Sequence, residues 1–255
     1  MTGFAPGHRT LALTMRSRPD LPSLEQSREL ARWLAGPRGR LLRRVQIGRK
    51  SRVLEIGAGH GMVTRELLRR AAGNVVCIDT DPRAAASLVR HGAQPIAADA
   101  CDLPLADGCV DLVFCQNVLM WTGDLSRAIE EAARVLQPGG AVVALEPDYG
   151  GMIEHPAHVS LQDLWLSALR AAGADPLVGR AIPGLCEKAG LQVWVELQNI
   201  PSPPTPDGPQ LLLGLPLSGH ERARVEEAAR ALEEMPGTWE AFIHVPYVLV
   251  VATRA

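Results

Sequence analysis

Three glycines at alternate positions, preceded by an acid, form the stretch with the clearest chemical character. The segment reads Glu55-Ile56-Gly57-Ala58-Gly59-His60-Gly61 and follows an apolar run, Val53-Leu54. Glycines allow a sharp backbone turn and the close approach of a ligand, because they carry no Cβ. The helix expected behind them has free N–H groups that suit an anionic or carboxylate-bearing group. The residues predict a ligand-binding strand–loop–helix unit, with a purely structural turn as the alternative.

The spacing of these glycines differs from that of a dinucleotide-binding fingerprint, G-x-G-x-x-G. Here it is G-x-G-x-G, and Glu55 stands two residues before the first glycine. A carboxylate at that position repels a pyrophosphate but suits a cationic ligand. In addition, neither Tyr149 nor Tyr247 begins a Tyr-x-x-x-Lys pair. A nicotinamide-dependent oxidoreductase is therefore a disfavoured alternative.

Polar residues also end the next three predicted strands. Asp79, with Thr80 after it, follows the apolar run 74–78. Asp99 and Ala100 end the run that begins at 94, and Gln116 follows the run 110–115. An acid about twenty residues after the glycine loop is placed to accept both ribose hydroxyls of a nucleoside. The alternatives are a solvated carboxylate for Asp79 and a strand-end cap for Asp99.

This pattern resembles the class I S-adenosylmethionine (SAM) dependent methyltransferases. Their first motif has the acid and glycine spacing seen here, and their second motif is matched by Asp79. The segment 99–105 resembles their D-A-x-x-L-P motif. The run from Asp-Leu-Val at 111–113 to Arg-Val-Leu-Gln-Pro-Gly-Gly at 134–140 is similar to members that methylate quinone precursors, sterols and other metabolites.

The resemblance implies SAM as cofactor and a small molecule as methyl acceptor. It implies that Asp99 takes the adenine amino group and that the next backbone N–H meets a ring nitrogen. The residues predicted to bind the cofactor are Glu55, Gly57, Ala58, Gly59, Gly61, Asp79, Thr80, Asp99, Ala100 and Gln116. The Asn/Asp-Pro-Pro-aromatic signature of amino-methyltransferases is absent after the fourth strand, which disfavours adenine methylation.

A general base is needed only if the acceptor must lose a proton, since the sulfonium is already activated. The candidates lie together after the fifth strand: Asp148, Tyr149, His155 and His158. For each of them an ordinary surface or loop role is the alternative. A SAM-binding domain without catalysis also stays open.

Strands and helices alternate through six units, which predicts a parallel sheet with helices on both faces. Helix starts are predicted at two capping boxes, Ser23 with Gln26 and Ser218 with Glu221, and at Asp81, Asp124 and Ser160. The run 242–252 predicts an antiparallel seventh strand that pairs with the sixth. We therefore predict a Rossmann-like, mostly parallel seven-stranded sheet with helical cap insertions. The predicted domains are an N-terminal helical and irregular segment, 1–40, and a methyltransferase domain, 41–255.

Two stretches are longer than a simple connection requires, 148–176 and 201–239. Both leave from carboxyl ends of predicted strands, the edge at which ligands of such sheets bind. Each also carries an amphipathic helical pattern, whereas 201–209 is too rich in proline for regular structure. We expect the two insertions to cover the ligand and to form the acceptor pocket.

Bulk composition excludes several classes of protein. The net charge of −2 gives no field that recruits nucleic acid or an anionic membrane. Seven basic residues lie between 38 and 52, where a solvated helix face is favoured over an RNA contact because no aromatic residues interleave them.

The five cysteines form no C-x-x-C pair, so no metal site is predicted. Without a signal peptide or an apolar span, a cytoplasmic protein is expected.

Overall fold

A seven-stranded sheet forms the centre of the computed structural model. The structure describes residues 23–255 apart from 82–83, 85–87, 90–91, 199–206 and 236–238. The main-sheet strands are β1 (Arg52–Ile56), β2 (Asn74–Asp79), β3 (Gln94–Ala97), β4 (Val110–Gln116), β5 (Leu136–Pro147), β7 (Leu191–Gln198) and β9 (Tyr247–Arg254). Two short strands, β6 (Ile153–His155) and β8 (Phe242–His244), form a separate antiparallel pair.

The strand order is β3-β2-β1-β4-β5-β9-β7. The pairs among β1 to β5 are parallel, and β9 runs antiparallel to both β5 and β7. This confirms the predicted sheet, including the antiparallel last strand beside the sixth. The chain adds β2 and β3 on one side of β1, and β4 and β5 on the other. This switch in strand order between β1 and β4 places the ligand crevice outside their carboxyl ends.

Eight helices flank these strands in the described part of the chain. They are α1 (Leu24–Trp33), α2 (Ala35–Arg44), α3 (Thr64–Arg70), α4 (Leu125–Val135), α5 (Gln162–Ala171), α6 (Val178–Lys188), α7 (Asp207–Gln210) and α8 (Gly219–Glu233). The predicted capping boxes, Ser23 with Gln26 and Ser218 with Glu221, are present at α1 and α8. Asp124 caps α4 as expected, accepting from the Arg127 backbone N–H.

Alternate residues of the strands build two hydrophobic cores, one on each face of the sheet. Leu54 and the strand residues that face the same way pack with α4 and α6. Val53 and the strand residues on the opposite face pack with α2 and α3. Strands buried on both faces read as continuous apolar runs, which is why the sequence pattern located them.

A third core joins the two insertions, so we call it the cap core. Its buried residues come from 159–168 and from 212–241, among them Leu164 on α5 and Val225 on α8. Asp163 and Arg224 form a bidentate ion pair between the same two helices, at 2.9 and 3.1 Å. The predicted helical cap is therefore one folded unit built from both insertions.

Three local predictions are wrong. The run 242–252 is two strands, because Pro246 has no N–H for a ladder and the chain changes sheet there. Ser160 does not cap α5; its hydroxyl and the Leu161 N–H both donate to Glu154 Oε2, at 2.7 and 2.9 Å. Within the proline-rich stretch, Asp207–Gln210 is helical.

Two further predictions concern boundaries. Residue 40, the proposed domain boundary, falls inside α2. The N-terminal residues 1–22, the proline-rich residues 201–206 and most of the predicted helix after Asp81 lie outside the described residues.

Candidate functional site

The glycine loop connects β1 to α3 and has all three glycines at positive φ: +72° at Gly57, +48° at Gly59 and +72° at Gly61. A Cβ at Gly57 would lie 2.2 Å from Val118 Cγ2, and one at Gly61 would lie 2.2 Å from Leu88 Cδ2. A Cβ at Gly59 would meet nothing within 4 Å. Gly57 and Gly61 are therefore required by packing, whereas Gly59 faces open space, where a ligand can approach the backbone.

Asp79 lies directly beside this opening. Its Oδ2 accepts from the Gly59 N–H at 2.8 Å, and its Oδ1 accepts from the Asp81 N–H at 2.9 Å. The carboxylate is partly exposed, as is neighbouring Thr80. Each oxygen keeps acceptor capacity for a further hydrogen bond. Asp79 therefore both orders the glycine loop and presents a carboxylate at its open side.

Glu55 points away from the opening, toward α3. It is 3% exposed, and its Oε2 accepts from Thr64 Oγ1 at 2.6 Å. The Cys77 thiol lies 3.6 Å from the same oxygen. Burial raises the pKa of Glu55 to about 7. The Glu55 side chain therefore supports the glycine loop from below, and a cationic ligand would not contact it directly.

Asp99 forms the turn that follows β3. Its Oδ1 accepts from the Cys101 N–H at 2.9 Å, which is the strand-end cap considered as an alternative, while Ala100 is buried. Buried Glu131 on α4 holds the next residues by accepting from the Leu103 N–H at 2.9 Å. Asp99 therefore stays at the carboxyl edge of the sheet beside β2, in a clamped loop.

Gln116 is engaged by a residue of the N-terminal segment. The guanidinium of Arg38 on α2 donates to Gln116 Oε1 at 3.0 Å and to Glu66 Oε2 at 2.7 Å. Arg38 is only 4% exposed. Two other members of the basic run also have internal partners: Arg40 lies 2.5 Å from Glu196, and Arg44 stacks 4.0 Å from the ring centroid of Trp194. The prediction of a solvated helix face is wrong for Arg38.

A second polar group lies at the carboxyl ends of β4 and β5. Asn117 follows β4 with φ +54°, and its Oδ1 accepts from the Tyr247 hydroxyl at 2.8 Å. Tyr247 opens β9 and packs edge-on against Trp33 of α1, with ring centroids 5.0 Å apart. Glu146, near the end of β5, is fully buried. Sequence reasoning missed this group, although an acid at a strand end was the signal that located Asp79.

The four candidate bases are dispersed. Asp148 forms a bidentate ion pair with Arg180, with both distances 2.7 Å. His155 is exposed on β6, where it stacks on Phe242, and His158 is exposed as well. Tyr149 stacks on Trp165 at 5.2 Å, and burial raises its pKa to about 12. Asp148 is thus held in an ion pair and both histidines lie on the surface, as in the surface and loop roles named as their alternatives.

Neither a metal-binding cluster of side chains nor a membrane-spanning helix occurs among the described residues. No group of three or more His, Cys, Asp or Glu side chains there could hold a metal ion. Among the same residues, no helix is long and apolar enough to cross a membrane.

The comparison with known families agrees with this geometry. Residues 54–144, from β1 into β5, match the family described as methyltransferase domain. This stretch contains the glycine loop, Asp79, Asp99 and Gln116. Over these residues the chain is therefore similar to methyltransferase domains.

Individual relatives and structures add detail. The chain is 31% identical over 116 residues to a glycine/sarcosine/dimethylglycine N-methyltransferase of Actinopolyspora halophila, covering 42% of this chain and 20% of that protein. It is 40% identical over 113 residues to a malonyl-[acyl-carrier protein] O-methyltransferase of Halorhodospira halophila, covering 41% and 38%. The YcgJ protein of Bacillus subtilis shares the fold, with a TM-score of 0.62 at 14% identity over 85% of this chain and 97% of that chain. The chain thus spans well under half the length of these two sequence relatives.

Proposed function

We propose that this protein transfers a methyl group from SAM to a small-molecule acceptor. The observation that carries the proposal is the opening at Gly59, where the backbone is free of side chains and lies 2.8 Å from a strand-end carboxylate. A nucleoside with two ribose hydroxyls fits such an opening, because both hydroxyls donate to a carboxylate. The relatives named above are methyltransferases, which supports the reaction type.

The residues that would hold the cofactor lie along one edge of the sheet. Asp79 would bind the ribose, the backbone of the glycine loop would contact the amino-acid end, and Asp99 with the Ala100 N–H would meet the adenine. Bound SAM supplies an activated methyl group on a sulfonium. The chain's own contribution is to orient the acceptor and to exclude water from it.

The acceptor side would lie beyond β4, under the cap. Two aromatic pairs, Trp33 with Tyr247 and Tyr149 with Trp165, would line it. The cap has a hydrophobic core of its own and also packs on the sheet core through Leu169 and Trp165. We propose that the insertions 148–176 and 201–239 act as a lid over this side. A lid of this kind aligns the acceptor and closes the site to water.

Calorimetric titration with SAM, S-adenosylhomocysteine and NAD⁺ tests the proposal. We expect binding of the first two and none of NAD⁺. Binding of NAD⁺ without SAM would refute it, whereas SAM binding without methyl transfer to any acceptor would favour a non-catalytic domain.

A further inference from the structure

The polar group beyond β4 contains two buried atoms that the described part of the chain leaves without a hydrogen-bond partner: Asn117 Nδ2, a donor, and Glu146 Oε2, an acceptor. Both residues stand at the carboxyl edge, because Asn117 directly follows β4 and Glu146 is the penultimate residue of β5. An unmet buried donor or acceptor costs roughly 1–3 kcal/mol. Two such atoms at one end of two paired strands therefore point to a shared ligand.

The remaining atoms of these side chains are firmly engaged, which orients the unmet ones. Glu146 Oε1 accepts from the backbone N–H groups of Val118 and Leu119, at 2.9 and 3.1 Å. Asn117 Oδ1 accepts from the Tyr247 hydroxyl, so its Nδ2 faces the other way. The side chain of Val118 packs against Gly57, which links this pair to the glycine loop.

The chemistry of the pair selects among acceptor groups. A hydroxyl oxygen can donate its proton to Glu146, accept from Asn117 with one lone pair and keep the second lone pair for a methyl group. A neutral amine has one lone pair, which it cannot both share with Asn117 and use for attack. A carboxylate has no proton to donate and is repelled by an ionised Glu146.

We infer that Asn117 and Glu146 bind a hydroxyl group of the acceptor and that Glu146 takes its proton. This inference rests on the proposed function and makes the enzyme an O-methyltransferase for an alcohol or phenol. As the oxygen–methyl bond forms, the hydroxyl proton passes to Glu146 Oε2. The sulfur–methyl bond breaks with its electron pair left on sulfur, so the products are an ether, a thioether and a protonated carboxyl group.

The surroundings of Glu146 suit a base near neutral pH. Burial raises its pKa to about 7, against the opposing effect of the backbone N–H groups of Val118, Leu119 and Met120. The titratable groups that face it are the Cys115 thiol on β4 and the Tyr247 hydroxyl on β9. Burial raises the pKa of both groups, so both are neutral and Glu146 is the group that titrates in this range.

The first test needs no known acceptor: a crystal structure of the protein with S-adenosylhomocysteine. We expect a water molecule that bridges Asn117 Nδ2 and Glu146 Oε2 and that lies on an open path to the sulfur. The inference is overturned if both atoms bond to protein groups, or if a side chain separates them from the sulfur. Failure of S-adenosylhomocysteine to bind would instead refute the proposed function.

The second test uses phenol, aniline and benzoate as probes, with SAM as methyl donor and S-adenosylhomocysteine release as the signal. We expect turnover of phenol and a loss of about 10²-fold or more in Glu146→Gln. This variant keeps an oxygen for the Val118 and Leu119 N–H groups, so its melting temperature and S-adenosylhomocysteine affinity should match those of the wild type. Glu130→Gln, on the exposed face of α4, is the matched control.

Other outcomes of the second test contradict the inference. Turnover of aniline or benzoate without phenol would assign a different acceptor group. Equal phenol turnover in the wild type and Glu146→Gln would reduce Glu146 to a support for the loop after β4.

Discussion

At the scale of single residues, the three loop glycines have two different physical roles. Gly57 and Gly61 each face a side chain that leaves no room for a Cβ, whereas Gly59 faces open space. All three share positive φ, which costs an L-residue roughly 1–2 kcal/mol. Packing and ligand approach can therefore be separated by mutation.

We predict that Gly59→Ala lowers the free energy of unfolding by about 1 kcal/mol but weakens SAM binding by at least about tenfold. Gly57→Ala should destabilise the fold by several times as much, because its Cβ would overlap Val118. Urea unfolding and calorimetry measure the two effects. Unchanged SAM affinity in a folded Gly59→Ala variant would show that no ligand approaches there.

Asp79 orders the glycine loop and is also the residue proposed to bind the ribose. We predict that Asp79→Ala weakens SAM binding by about 10–100-fold, through the loss of one or two charge-assisted hydrogen bonds. Asp79→Asn should be intermediate, since it keeps one oxygen acceptor. Asp163→Asn, in the cap ion pair, is the control. If Asp79→Ala lowers the melting temperature but leaves the SAM affinity unchanged, Asp79 only holds the loop through its bonds to Gly59 and Asp81.

Glu55 makes stability depend on pH. Because burial raises its folded-state pKa to about 7 from 4.5, the folded protein retains a proton that the unfolded chain has lost between these values. Its contribution to the free energy of unfolding is thus fully present below about pH 4.5 and falls as the pH rises to about 7. The surrounding groups are Thr64, Cys77, Arg38 and Asp79.

Glu55→Gln should remove this dependence, worth on the order of 3 kcal/mol across the interval. Urea unfolding at pH 5 and pH 7.5 tests it. The wild type should lose more stability over that range than the variant. Equal losses in both proteins would mean that Glu55 does not titrate there.

At the scale of elements, the cap has a core of its own and also packs on the sheet, because Leu169 of α5 is buried in the core that contains Leu54. Its helices α5 and α8 come from different insertions, yet they contribute buried side chains to one core. Tyr149, which begins the first insertion after β5, stacks on Trp165 of α5 and so joins the cap to the sheet edge. The cap thus rests on the sheet through its first helix, while α8 packs on α5.

We predict that S-adenosylhomocysteine slows amide hydrogen exchange in the cap as well as in the glycine loop. The expected segments are 148–176, 201–239 and 57–61, because closure over a bound ligand would reduce local opening. The exposed edge strand β7 is an internal control. Protection confined to the glycine loop would contradict the lid.

At the scale of the whole molecule, charge is distributed unevenly. No acid occurs between Glu29 and Glu55, a stretch with eight basic residues, although the net charge of the chain is −2. Five of these residues contact other side chains of the chain itself: Arg38, Arg40, Arg44, Arg49 and Arg52. The basic run therefore serves partly to attach the N-terminal helices to the sheet.

We predict no RNA binding at physiological salt. Fluorescence anisotropy with an RNA hairpin at 50 and 200 mM salt tests this. An affinity that depends on phosphate contacts alone falls by about 10³–10⁵-fold over that range when many contacts are made. Tight binding at the higher salt, abolished by Arg43→Ala with Arg49→Ala, would make RNA the acceptor to consider.

Much of the architecture could be predicted because it depends on local signals. Apolar runs identified the buried strands, Ser23, Asp124 and Ser218 identified helix starts, and glycines identified the loop. The alternation of strands and helices then restricts the sheet to few topologies. Each of these signals is contained within about twenty neighbouring residues.

The orientation of side chains and the contacts between distant segments were decided only by the tertiary structure. Whether Glu55 faces the ligand or α3 depends on which way β1 presents alternate residues to the two cores. The bond from Tyr247 to Asn117 spans 130 positions, and that from Arg38 to Gln116 spans 78. No local pattern encodes such pairs, because they arise only once the sheet order has brought β4, β9 and the N-terminal helices to one edge.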